Sequence, residues 1–192
     1  MKKRTMAWMA ALAVLACALV YFNVPAPAGT GATEDTPEAG ISAQYASDAP
    51  VGWHVGEQLP EFTLTTMTGE EFVLSAHRGR VTVINLWATW CTPCVNELPC
   101  FDRLQNEHPE DVTVLAIHSN LITDDVAKYL SGFDYGIAFA VDETGDVISS
   151  VGGSTMLPQT VVLNPWGDVT YNKVGSVTFE MLEELTEAAQ TR

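Results

Sequence analysis

The chain has 192 residues, enough for one domain plus a tail, and its nine Lys+Arg against 24 Asp+Glu leave a net charge of −15. Three of those nine bases, Lys2, Lys3 and Arg4, precede the first apolar run, so the remainder lacks the cations that displace phosphate counterions in a nucleic-acid binder. Hydrophobic residues at 47% supply a core, while four Cys are too few for a disulfide-stapled miniprotein.

In chain order, Met1–Thr5 is basic and Met6–Phe22 runs 17 residues without charge, Gly or Pro. As a helix this run reaches roughly 25 Å, the short end of a bilayer span. The bases ahead of it predict that the N-terminus stays in the cytoplasm and the rest is exported. Because the run exceeds the ~7–15 apolar residues of a signal peptide, residues 1–23 are read as a single-pass anchor in the cell membrane, with the domain facing outside the cytoplasm. Cleavage near Ala28, at Ala26-Pro27-Ala28, is the alternative and makes the protein secreted. A lipid-modified Cys17 is a third reading, poorly matched by Leu15 just before Ala16. Residues 24–52 carry Pro25, Pro27, Pro37 and Pro50 among Ala, Gly and acids, and read as a flexible spacer unable to offset its ordering entropy. The folded unit is then 53–192.

Phe62–Thr65 and Phe72–Leu74 alternate apolar and polar residues about Met67-Thr68-Gly69, which predicts an N-terminal hairpin. Val81–Trp87 is β-branched, aromatic and almost wholly apolar, as a central strand is. Helical spacing follows over Thr92–Glu107 through Val95, Leu98, Phe101 and Leu104, with Pro99 inside it. Val112–Ile117 is a second buried strand, completing a βαβ unit. Thr123 opens a short acidic-ended helix through Leu130. Ala138–Val141 reads as a strand and Asp146–Val151 as a helical turn. Thr160–Leu163 and Val169–Tyr171 flank the turn-forming Asn164-Pro165-Trp166-Gly167-Asp168 and should pair antiparallel. The chain closes with a helix over Phe179–Ala189, capped by Thr178. This α/β order predicts a mixed central sheet flanked by helices on both faces.

Cys91-Thr92-Pro93-Cys94 is where chemistry concentrates. Half a zinc site is one reading, but Cys100 and His118, the nearest further ligands, do not form a second pair. An inert staple is another, although so short a loop stabilises little. A redox pair is favoured by position. At the start of a helix after a buried strand, free N–H groups and the helix dipole stabilise a Cys91 thiolate. Cys94, one turn in, is placed to resolve a mixed disulfide.

Trp90-Cys91-Thr92-Pro93-Cys94 after a strand, Pro99 in the next helix and Leu157-Pro158-Gln159-Thr160 before a late hairpin resemble the thioredoxin superfamily. More narrowly, with Pro60-Glu61-Phe62, Arg78-Gly79-Arg80, Asn85–Trp90 and Leu163–Gly167, the chain is similar to the exported, membrane-tethered TlpA/ResA-like thiol–disulfide oxidoreductases. The resemblance implies a thioredoxin-like fold, a redox disulfide Cys91–Cys94, and a cis bond before Pro158 beside the sulfurs. It also implies protein thiols and disulfides as partners, a membrane-embedded electron donor or acceptor, and a reductase role, such as in cytochrome c maturation. No cofactor and no metal enter this reading. Asn85 stands where cytoplasmic thioredoxins have a buried Asp, so that route for deprotonating Cys94 is absent. Glu97 matches a Glu of the ResA-like branch. It is expected to take over as proton acceptor or to raise the cysteine pKa values by charge repulsion, the competing reading being a solvated surface acid. Trp87, Trp90, Pro93 and Leu157 are placed as walls of the site. Cys100 departs from the pattern and reads as a buried structural thiol, with a regulatory role left open. His54, His77, His108 and His118 read as surface or strand-end residues. Three rivals remain: an exported oxidase that makes disulfides, a thiol peroxidase (with no Arg between Arg80 and Arg103 to activate peroxide), and a copper- or haem-binding module.

Overall fold

A computed structural model describes residues 44–119, 126–153 and 156–191. The N-terminal apolar run and most of the spacer, as well as the Thr123–Asp125 start of the acidic-ended helix, lie outside the described residues. Among the described residues no helix is long and apolar enough to cross a membrane.

Two strands form the N-terminal hairpin, β1 (Thr63–Thr65) and β2 (Glu71–Val73). Five more make the main sheet: β3 (Val81–Trp87), β4 (Val112–Ser119), β5 (Ala138–Asp142), β6 (Gln159–Leu163) and β7 (Val169–Val174). Their order is β5-β4-β3-β6-β7. β4 runs parallel to both β3 and β5, whereas β6 is antiparallel to β3 and to β7. The sheet is therefore mixed. β3 is central and all seven of its residues are buried, which explains why its sequence is nearly continuous in apolar side chains rather than alternating.

Strand periodicity divides the core into two layers. On one face Val81, Val83 and Trp87 of β3 pack with Leu98, Phe101 and Leu104 of helix α1 (Thr92–Glu107) and with Phe179, Leu182 and Ala189 of the last helix. A short helix α2 (Val126–Leu130) joins this layer through Val126. On the other face Ile84 and Leu86 pack with Phe62, Phe72 and Leu74 of the hairpin region and with Ile148 of helix α3 (Asp146–Ser150). The last helix, α4 (Phe179–Ala189), begins where Thr178 accepts a hydrogen bond from the Met181 N–H. α1 continues through Pro99 although that residue supplies no N–H, because Leu98, Phe101 and Leu104, all fully buried, hold its inner face against the sheet. Leu182 is likewise fully buried. Leu182→Ala is expected to destabilise the domain by about 2–5 kcal/mol, read as a lower urea midpoint.

The chain already engages the domain upstream of Trp53, where the spacer was expected to end. Tyr45 packs on Trp166, ring centroids 5.8 Å apart, and covers Gly79, whose φ of +91° suits glycine. Ser47 hydrogen-bonds Asp168. Gly52 N–H donates to Gln58 O and Gln58 N–H to Pro50 O. The described part of 24–52 is thus tied to the β6–β7 turn, where Trp166 packs against Tyr45.

Candidate active site

β3 ends at Trp87, and a tight turn through Thr89 and Trp90 returns the chain into α1. In that turn the Cys91 N–H donates to the Ala88 carbonyl at 3.1 Å. Cys91 is the N-cap residue of α1, with its Sγ accepting from the Cys94 N–H at 3.4 Å. The two cysteines are joined as a disulfide. Cys91 retains 5% exposure and Cys94 none, so an incoming sulfur meets Cys91 first. In the dithiol form the same N–H groups and helix dipole favour negative charge on Cys91. The described acidic and imidazole groups close enough to hold a metal are Glu107, His108 and Glu183, at the C-terminal end of α1 and without either cysteine.

Glu97, three residues beyond Cys94 and so on the same side of α1, is only 3% exposed. This overturns the solvated-acid reading. Its carboxylate accepts from Asn85 Nδ2 at 2.8 Å and from the Val177 N–H at 3.0 Å. Burial pushes its pKa from the ordinary 4.5 up to about 7, with the two hydrogen bonds pulling the other way. Asn85, read from sequence as a missing base, is in fact the donor that holds the buried carboxylate. The signal was present: Asn85 is the one amide in a strand that is mostly apolar, and an unpaired amide there is costly. The Glu97 charge also reaches Cys100 and Tyr171, whose pKa values are raised first by burial and further by that charge. Cys100 is a free, half-buried thiol, kept less acidic than an ordinary cysteine.

The Leu157–Pro158 bond is cis, as the resemblance implies. Gln159 pairs with Leu86, which sets Pro158 beside the end of β3 from which the cysteines follow. Leu157 is half-buried and packs against both core layers. Trp90 is 46% exposed and flanks the site with exposed Pro93. Trp87 does not line an opening: it is fully buried, with its ring edge-on to His118 and Phe139. His118 is a strand-end residue, as read from the sequence, but an interior one. It is fully buried near the end of β4, and its Nε2 accepts from the Thr89 N–H at 3.1 Å, bracing the turn that carries Cys91.

The Redoxin family profile matches residues 54–189. Thioredoxin-like protein YneN of Bacillus subtilis is 29% identical over 144 residues, 73% of this chain and 84% of that protein. Thiol-disulfide oxidoreductase ResA of Geobacillus kaustophilus is 30% identical, over 70% of this chain and 77% of ResA. Among solved structures, the Chlorobium tepidum protein assigned as thiol:disulfide interchange protein DsbE superposes with a TM-score of 0.65 at 27% identity, covering 72% of this chain and 99% of that one. The chain belongs to the Redoxin family, as a ResA-like member of the thioredoxin superfamily.

Proposed function

We propose that this protein is a thiol–disulfide oxidoreductase that reduces the disulfides of protein partners outside the cytoplasmic membrane, tethered there by Met6–Phe22, in a process such as cytochrome c maturation. One observation supports the exchange chemistry of this reading. The Cys91–Cys94 disulfide caps α1, with Cys91 keeping a small exposed edge and Cys94 fully enclosed, and a buried carboxyl with a pKa of about 7 stands one turn further on.

In the dithiol form, the Cys91 thiolate attacks a partner disulfide and forms a mixed disulfide, releasing one partner thiolate. Cys94 then gives up its proton and attacks Cys91 Sγ. The internal disulfide closes, the second partner thiolate leaves, and two electrons have passed to the partner. Glu97, with a pKa near neutrality, is suited to accept the Cys94 proton. A membrane-embedded donor would return the pair to its dithiol form.

Equilibration against dithiothreitol or glutathione tests the direction. A reductase is expected to have a potential at or below about −250 mV, whereas a value near −120 mV would mark a disulfide-making oxidase. Labelling of Cys91 in intact cells by a membrane-impermeant thiol reagent tests the exported orientation. The peroxidase rival gains no support from the described arginines. Arg78 lies against Gly167 and Glu61, Arg80 bonds the Pro109 carbonyl, and Arg103 covers the Phe179 ring at 3.6 Å.

A further inference from the structure

His118 is the one ionisable side chain of β4, and it stands at the end of that strand nearest the cysteines. It pairs with Trp87 of β3 on one side and Val141 of β5 on the other, and it is fully enclosed. The Trp87 indole meets its ring edge-on, with centroids 5.1 Å apart and planes at 89°, which fixes the plane of the imidazole. The nitrogen aimed in this way is Nε2, which accepts from the Thr89 N–H at 3.1 Å. An imidazole nitrogen accepts only when it carries no proton, so the ring is neutral with its hydrogen on Nδ1. The other tautomer and the imidazolium would both confront the Thr89 N–H with a second donor.

Thr89 lies two residues before Cys91. Trp90, between them, is exposed and gives the turn little packing from beneath. Two further bonds run along the chain: the Cys91 N–H donates to the Ala88 carbonyl, and the Val95 N–H donates to the Cys91 carbonyl, each at 3.1 Å. They set the curvature of the turn and start α1, but neither fastens the turn to the sheet. The Thr89–His118 bond does, across 29 positions of sequence. Placement matters here because a Cys91 thiolate draws its stability from the free N–H groups of the first turn of α1, and that interaction fades within one turn of helix.

We infer that His118 is a positioning residue for Cys91: its unprotonated Nε2 anchors the Thr89 N–H and so holds the Cys91 sulfur over the N-terminus of α1, where the thiolate is stabilised. The inference rests on Cys91 being the attacking sulfur of an exchange pair. It requires the acceptor atom rather than the bulk of the ring, and that separates a role in reactivity from one in packing.

The test compares the full-length protein with two variants. His118→Phe keeps a ring against Trp87 and loses the acceptor, whereas His118→Gln loses the ring and offers an amide oxygen to Thr89. On the reduced proteins the iodoacetamide rate at Cys91, resolved by peptide mapping, is followed across pH, together with the glutathione equilibrium and the melting temperature. In His118→Phe the rate at pH 7 is expected to fall roughly threefold to tenfold, with the midpoint of the profile moved up by about half to one pH unit. The glutathione equilibrium is expected to shift toward the disulfide, because the dithiol form has lost its stabilised thiolate. His118→Gln is expected to stay within about twofold of wild type. A His118→Phe profile that matches wild type overturns the inference, even where the melting temperature falls. A His118→Gln protein slowed as much as His118→Phe overturns it too, since ring packing would then be responsible. Should His118→Phe fail to fold, His118→Gln decides together with 15N NMR of the reduced wild type. There, a proton on Nε2 or no coupling through the hydrogen bond to the Thr89 amide overturns the inference. Wild-type protein inert toward both insulin and oxidised glutathione would instead sink the exchange reading, and this inference with it.

Discussion

Cys91→Ser is expected to lower exchange with protein disulfides by roughly a thousandfold or more, to background, while Cys94→Ser stops halfway and accumulates a covalent complex with the partner. The two sulfurs are equivalent in composition but not in place. Cys91 caps α1, faces its free N–H groups and keeps a surface edge, whereas Cys94 is wholly enclosed. Attack on a bulky partner therefore begins at Cys91, and closure of the internal disulfide needs Cys94. A serine at 94 cannot displace the partner, because its hydroxyl is a far weaker nucleophile than a thiolate. Non-reducing electrophoresis of Cys94→Ser with a reducible protein partner shows the complex as a dithiothreitol-sensitive band. If Cys91→Ser were the variant that trapped the partner, the two roles would be reversed. On the reduced protein, iodoacetamide is expected to modify Cys91 first and below pH 8.5, the range of an unperturbed thiol.

Glu97→Gln is expected to flatten two pH profiles. The first is stability. Glu97 has a folded-state pKa of about 7 against an ordinary 4.5, so below about pH 4.5 it is protonated in both states and contributes no pH dependence. Between 4.5 and 7 the unfolded chain releases the proton while the native state keeps it, and stability falls as pH rises. Above about 7 the full cost is present. At about 1.4 kcal/mol per pH unit the loss is about 3 kcal/mol. The Gln variant retains the shape, cannot ionise, and should lack this slope in urea titrations taken at pH 4.5 and 7.5. The second profile is the rate. If the ionised carboxylate accepts the Cys94 proton, resolution of the mixed disulfide in the wild type rises through pH 7. In Glu97→Gln it slows about a hundredfold above that pH. Wild-type and variant rates that coincide across pH 5–9 would leave Glu97 a purely structural acid, held by Asn85 and Val177.

Much of this molecule is local, and that part is legible in one dimension. The apolar run of β3, the spacing of Leu98, Phe101 and Leu104, and the cap at Thr178 depend on residues within a few positions of each other. The helices they specify are Thr92–Glu107 and Phe179–Ala189. A Cys-x-x-Cys at a strand-to-helix junction is local too, since the N-cap geometry that activates one sulfur and buries the other arises from four consecutive residues. The hairpin and the β6–β7 pair follow from alternation and turn chemistry in the same way.

What remained hidden is polar and long-range. Glu97 was read as either solvated or catalytic, and burial decided against solvation. The partners responsible lie 12 and 80 residues away, at Asn85 and Val177. Trp87 looked like a wall of the site and His118 like a surface or strand-end residue; the parallel β3–β4 register sets them directly opposite each other, and both are buried, His118 at the strand end. The bond from the Thr89 N–H to His118, 29 residues away, left no periodic trace at all. Residue order alone established which faces are apolar, where the helices begin and which two sulfurs meet. Only the packed layers decided the surroundings of Glu97, the bracing of the Cys91 turn and the bonds holding the cis-proline segment. The physical reason is that apolar burial is non-directional and written in periodicity, whereas a hydrogen bond needs two specific atoms about 3 Å apart, a condition set by strand register and chain crossing.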